Sequence, residues 1–188
     1  MKKLIVLILA LCSFQAFSQE VSNFTLKNVT DGSNTSLTDY KSSKGVVVIF
    51  TSNVCPYSVY YEGRITQLIA EYESKGLSFI LINSHLEDKE SATEMANKIS
   101  TWGLKVPYLA DKDQSVMNAF HASKSPEVFL LKNNGGYFSV FYQGAIDNNP
   151  QVATDVKDQY LKANIDNLLS GKAATKGGRP IGCMVKRG

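Results

Sequence analysis

Cysteine is scarce in this chain, with three among 188 residues. None of the three stands in a C-x-x-C pair, so an adjacent redox dithiol is excluded, as are the clustered ligands of a zinc ribbon. The chain has two histidines, His85 and His121, and neither has metal-ligand spacing to a cysteine. No metal and no other cofactor is implied. Long blocks of one charge sign are also missing. The net charge is +3, and no basic run carries interleaved aromatics, which argues against nucleic-acid binding. There are no internal repeats and no low-complexity segments.

The long apolar run is at the start, MKKLIVLILALCSFQAFSQE. Lys2 and Lys3 form a positive n-region, Leu4 to Leu11 an apolar h-region, and Ala16-Phe17-Ser18 an A-x-A-like cleavage site. The pattern reads as a signal peptide over 1–18, too short for a membrane span. It predicts a periplasmic or secreted protein with no stable membrane insertion after cleavage. Leu9-Ala10-Leu11-Cys12 loosely resembles a lipobox, but Leu11 is bulkier than the small residue wanted there, which disfavours a lipoprotein. The sequons at Asn23, Asn28 and Asn34 matter only in a host that glycosylates. Cleavage near Ser18 leaves Cys55 and Cys183, in a compartment that permits disulfides.

What is present is a run of alternating strands and helices, predicting one domain over 19–171. Phe24 to Leu26 and Thr35 to Leu37 flank an Asp31-Gly32 turn and predict a hairpin. GVVVIF, from Gly45 to Phe50, is a β-branched run suited to a strand covered on both faces. After Pro56 the apolar period becomes helical through Tyr61, Ile65, Leu68, Ile69 and Tyr72, and Gly76 ends it. LSFILI is a second buried strand, and Met95, Ile99 and Trp102 mark another helix. EVFLL-KNNGG-YFSVFY reads as an antiparallel hairpin. Val152, Val156, Tyr160, Leu161, Ile165, Leu168 and Leu169 predict a last helix beginning near 152. The order implies an α/β sandwich with helices on both faces of a mixed sheet. Residues 172–188 have no periodicity and read as a flexible tail carrying Cys183.

Cys55 stands between a buried strand and a helix that Pro56 opens. Free N–H groups and the helix dipole at such a junction stabilise a thiolate, the reactive form of the thiol. The competing reading is an inert buried cysteine. Ser125-Pro126 opens the EVFLL strand, where proline is tolerated.

FTSNVCPYS after GVVVIF, then LINS, SPEVFLL and a Gly182-Cys183 tail, resemble the thioredoxin-like superfamily and its peroxiredoxin-like redoxin branch. The resemblance implies a thioredoxin-like three-layer sandwich with an N-terminal β-hairpin extension. It implies that Pro126 is a cis-proline which, with Ser125 and Tyr57, meets a substrate. The pattern departs from both parents. Ser52 replaces the first cysteine of C-x-x-C. The spacing Ser52 to Cys55 fits the peroxiredoxin pattern, but Val48 stands where its proline belongs. None of Arg64, Arg179 and Arg187 lies near the Pro126 strand. The implied activity is thiol-disulfide exchange, with peroxide reduction secondary. Cys55 is the expected nucleophile, Ser52 a catalytic residue whose hydroxyl hydrogen-bonds the thiolate or a bound peroxide, and Cys183 the resolving residue. About a dozen tail residues at roughly 3.3 Å each could bring Cys183 to Cys55. Alternatively it pairs with another chain or with nothing. The implied partners are a protein disulfide or peroxide substrate and a thiol reductant protein. A non-catalytic thioredoxin-like binding module is the rival reading, and a secreted structural protein with a fixed disulfide is a third.

Overall fold

Strand polarity and crossover handedness fix the layers, and through them the end of the sheet where chemistry can sit. The computed structural model describes residues 20–188. The leader with its cleavage site, and Cys12, lie outside the described residues.

In chain order the strands are β1 (Glu20–Val21), β2 (Thr25–Asn28), β3 (Asn34–Ser36), β4 (Gly45–Phe50), β5 (Leu77–Asn83), β6 (Tyr108–Ala110), β7 (Lys124–Ser125), β8 (Glu127–Asn133), β9 (Phe138–Gly144) and β10 (Cys183–Met184). The helices are α1 (Pro56–Tyr72), α2 (Ala92–Trp102), α3 (Ser115–Phe120) and α4 (Tyr160–Leu169). Eight strands form one mixed sheet in the order β1-β9-β8-β4-β5-β6-β2-β3. The predicted N-terminal hairpin is β2–β3, which adds to the sheet through β6.

The steps β4 to β5 and β5 to β6 are parallel and run in the same direction across the sheet. Right-handed crossovers therefore place α1 and α2 on one face. There Val47, Ile49, Phe79 and Leu81 meet Ile65 of α1, Met95 of α2 and Ile165 of α4. The alternate residues Val46, Val48, Phe50, Ile80 and Ile82 face α3 and the N-terminal hairpin. A sheet buried on both sides explains the uninterrupted β-branched run of β4. Its register puts Phe50 opposite Glu127, so the loop leaving β4 lies beside the residue after Pro126.

One helix begins later than its spacing predicts. Residues 152–159 do not join α4, and Val152 is 45% exposed. Asn149 Oδ1 accepts from the backbone of Gln151 and Val152, and Asn148 Oδ1 from that of Lys157 and Asp158. These side chains hold the backbone in turns that compete with helix. Val152→Asp should change stability by less than about 0.5 kcal/mol, the range for exposed sites. A chemical-denaturation midpoint well below that of the wild type would show Val152 packed after all.

The tail expected to be flexible follows a defined path. The Ala145 N–H donates to Gly178 O, the Thr175 N–H to Asn164 Oδ1, and the Val185 N–H to Ser123 O. β10 pairs antiparallel with β7, setting Cys183 opposite Ser125.

Candidate functional site

Five residues, Thr51 to Cys55, carry the chain from β4 into α1. Ser52 shapes this loop. Its Oγ accepts from the Cys55 N–H at 2.9 Å and the Val54 N–H at 3.2 Å, a serine turn that brings Cys55 to the N-cap of α1. Pro56 takes the first helical position, as its missing N–H favours. Cys55 is 3% exposed.

Cys55 and Cys183 form a disulfide with Cα atoms 6.0 Å apart, across 128 positions of sequence. The Ser125–Pro126 peptide is cis, and Cys55 Sγ lies 3.2 Å from Ser125 O. Thus Cys55, Cys183, Ser125 and Pro126 come together. Tyr57 lies on the first turn of α1, half-buried, edge-on to Tyr60. Tyr61 turns inward and donates its hydroxyl to Asp147.

Beneath the loop is a carboxyl group that the sequence did not single out. Glu90 is 1% exposed although it sits in the charged stretch LEDKE. Four donors converge on it: Ser52 Oγ (2.5 Å), the Asn53 N–H (2.8 Å), the Val54 N–H (3.3 Å) and Asn83 Nδ2 (2.7 Å). Asn83 also donates to Tyr108 OH, and Tyr108 OH donates to Asn53 Oδ1. Burial drives the Tyr108 phenol far upward, keeping it a neutral donor. The Ser52 hydroxyl is therefore committed to Glu90.

Two basic groups border the network. Lys112 Nζ donates to His85 O (2.8 Å), Asn83 Oδ1 (3.1 Å) and Asn83 O (3.3 Å). Burial lowers its pKa to about 8, against the pull of Glu90 and Asp111. We expect Lys112 to titrate near pH 8 when lysine Nζ signals are followed by NMR, and ordinary behaviour near 10 would contradict its placement. Because the folded value lies below the unfolded one, this group's contribution to stability rises between about pH 8 and the unfolded lysine value. His85 Nε2 lies 2.9 Å from Ser125 Oγ. Burial lowers its pKa, partly offset by Glu90 and Glu87. Its neutral form is favoured, so its contribution is intact above the unfolded value of about 6.5 and falls as pH drops below it.

The arginines are elsewhere. Arg64 binds Asp147 at 2.6 Å together with the carbonyls of Asn149 and Pro150, and Arg179 and Arg187 are in the tail. Among the described residues no group of three or more His, Cys, Asp or Glu could hold a metal ion. No described helix is long and apolar enough to cross a membrane.

These features meet at the ends of β4 and β5 where open α/β sheets place their sites. The AhpC/TSA family profile matches residues 17–137, a stretch that includes Ser52, Cys55, Glu90 and Pro126 but ends before the tail. The thiol-disulfide oxidoreductase ResA of Bacillus anthracis is 26% identical over 117 residues, which are 62% of this chain and 64% of that protein. The match thus spans less than two thirds of that relative. An uncharacterized conserved protein of Geobacillus kaustophilus, of solved structure, is 28% identical with a TM-score of 0.83, covering 91% of this chain and 92% of that one. Peroxidoxin BcpB from Mycobacterium tuberculosis shares the thioredoxin fold at 17% identity, with a TM-score of 0.57 over 81% of this chain and 93% of that one. With the matched segment spanning more than half its length, the chain belongs to the AhpC/TSA family.

Proposed function

We propose that this protein is an exported thiol-disulfide oxidoreductase whose redox couple is Cys55 and Cys183. The observation that carries this reading is the disulfide itself, which joins the N-terminus of α1 to the tail beside Pro126. The leader pattern supports export, since such a bond persists in an oxidising compartment.

The chemistry follows from accessibility and charge. Cys183 is partly exposed, whereas Cys55 is buried. The thiolate of a reductant protein attacks Cys183 Sγ. The Cys55–Cys183 bond breaks, and its electron pair leaves on Cys55 Sγ. The N-terminus of α1 stabilises that thiolate. A second reductant thiol then releases Cys183. In the forward half-reaction the Cys55 thiolate attacks a protein disulfide and forms a mixed disulfide. Cys183 then attacks Cys55 Sγ, expelling the reduced substrate thiol. Two electrons pass from the dithiol to the substrate. Val54 and Met184, each next to one cysteine, are exposed apolar residues that suit contact with a protein partner.

Peroxide reduction has less support. It needs placed donors to polarise the O–O bond, but Arg64 is bound to Asp147 and Ser52 to Glu90. We expect insulin-type disulfide reduction with dithiothreitol to be accelerated by the wild type and not by Cys55→Ala. Peroxide consumption should stay within tenfold of free thiol. Equal rates for wild type and variant in the disulfide assay would refute the reading. The burial of Cys55 favours one rival, a secreted structural protein with a fixed, non-cycling disulfide. That rival predicts a bond that closes below about −300 mV and does not exchange.

A further inference from the structure

The tail does more than deliver a sulfur atom. β10 pairs antiparallel with β7 in a two-stranded sheet separate from the main one, the backbone pairing by which an extended peptide adds to an exposed strand. The positions around Cys183 are read unequally. A Cβ on Gly182 would lie 2.3 Å from Ser125 O and 2.6 Å from Ser125 C. Both are backbone atoms beside a proline and cannot move aside as a flexible side chain can, so this position admits glycine alone. Met184 is 64% exposed and is not read. Val185 is buried in the apolar cluster that includes Met117 and Ala122. Gln114 then clamps the backbone, donating to Lys186 O (2.7 Å) and accepting from the Gly188 N–H (2.9 Å). The Lys186 side chain points to solvent.

We propose that this groove is a peptide-recognition site with the pattern Gly-Cys-x-Val, and that the tail occupies it as a built-in copy of the substrate. Its occupant in trans is an extended cysteine-bearing segment of another protein, with glycine before the cysteine and a β-branched apolar residue two places after it. The inference rests on the exchange reaction above, since the groove is open only when Cys183 is released. In trans, the Cys55 thiolate attacks the segment's cysteine sulfur. A Cys55–segment bond forms, the segment's disulfide breaks, and the electron pair leaves on its former partner. Because tail and segment share one groove, the returning tail must displace the segment as Cys183 resolves the mixed disulfide. Specificity and release are thereby coupled. The tethered tail competes at an effective concentration of about millimolar.

The test uses full chains carrying Cys12→Ser and Cys183→Ser, which leave Cys55 as the sole thiol. The probe is the peptide Arg-Pro-Ile-Gly-Cys-Met-Val-Lys-Arg-Gly, its cysteine activated as a mixed disulfide with thionitrobenzoate. Release of thionitrobenzoate is followed by absorbance and the adduct by intact mass. The parent peptide should react at least tenfold faster than peptides with Ala before Cys or Asp in place of Val. A small activated disulfide sets the baseline. Adding Val185→Asp to the protein should loosen the competing tail and speed the parent peptide several-fold. In the otherwise wild-type chain, Gly182→Ala should reduce the effective concentration of Cys183 at Cys55 at least tenfold in glutathione buffers. Equal rates for all peptides, in both tail backgrounds, overturn the proposed recognition while leaving exchange chemistry intact. No reaction even with the small disulfide in the Val185→Asp background would instead sink the exchange reading and this inference with it.

Discussion

Replacing Cys183 by serine will lower unfolding free energy by about 5 kcal/mol under oxidising conditions and end catalytic turnover. The bond closes a loop across 128 positions, and the chain-entropy relation gives about 5 kcal/mol for that length at 25 °C. For a domain of this size the melting temperature should fall by about 10–20 °C. The reduced wild type is the control. If the bond acts by constraining the unfolded chain, reduced wild type and Cys183→Ser should melt within a few degrees of each other. The variant still has the Cys55 thiol, so a single exchange with an activated disulfide should survive. The mixed disulfide should then accumulate, because nothing resolves it. An oxidised variant as stable as oxidised wild type would show that the bond does not constrain the chain.

Glu90→Leu should cost about 4 kcal/mol. The carboxyl group accepts from Ser52, two backbone N–H groups and Asn83 in a place without solvent. Its loss orphans those donors, each at about 1–3 kcal/mol, less whatever relaxation recovers. Glu90→Gln should fall between, since an amide retains one acceptor and turns one donor toward donors. Urea midpoints at unchanged slope would measure both. Ser52→Ala removes the acceptor of the Cys55 N–H and a partner of Glu90, so the Ser52→Ala/Glu90→Leu double variant should be less destabilised than the sum of the singles. Strict additivity, or a cost for Glu90→Leu below about 1 kcal/mol, would contradict the network.

The frame of this site can be read in sequence because its determinants are local. The length and β-branched content of GVVVIF favour a strand covered on both sides, and Pro56 after Cys55 marks a helix start. The hairpin at 25–36 and the strands on either side of Asn133 to Gly136 have turn chemistry that names them. What sequence concealed depends on long-range packing. Glu90 looks like one more charge in LEDKE, and only the loop folded above it makes it a buried acceptor. Lys112 is likewise distinguished by carbonyls from 83 and 85. β10 is two residues long, too short for any period, and is set by β7, the two-residue strand it pairs with. The start of α4 departs from its apolar spacing for the opposite reason. Val152 and Val156 fall at helical spacing by coincidence, while Asn148 and Asn149 hold that backbone in turns. The same physics explains why the tail's composition concealed its docking. Lys, Gly and Ala carry no pattern, but Gly182 is required by a contact 57 positions away in sequence.

The most direct test of a cycling Cys55–Cys183 couple is a redox titration. The protein is equilibrated in buffers of graded thiol-disulfide potential, quenched by alkylation and read by intact mass and peptide mapping. A catalytic couple predicts one two-electron transition above about −300 mV, with Cys55 and Cys183 gaining alkyl groups together. A bond that remains closed through the whole range, or a Cys55 that is alkylated in every buffer, would contradict it.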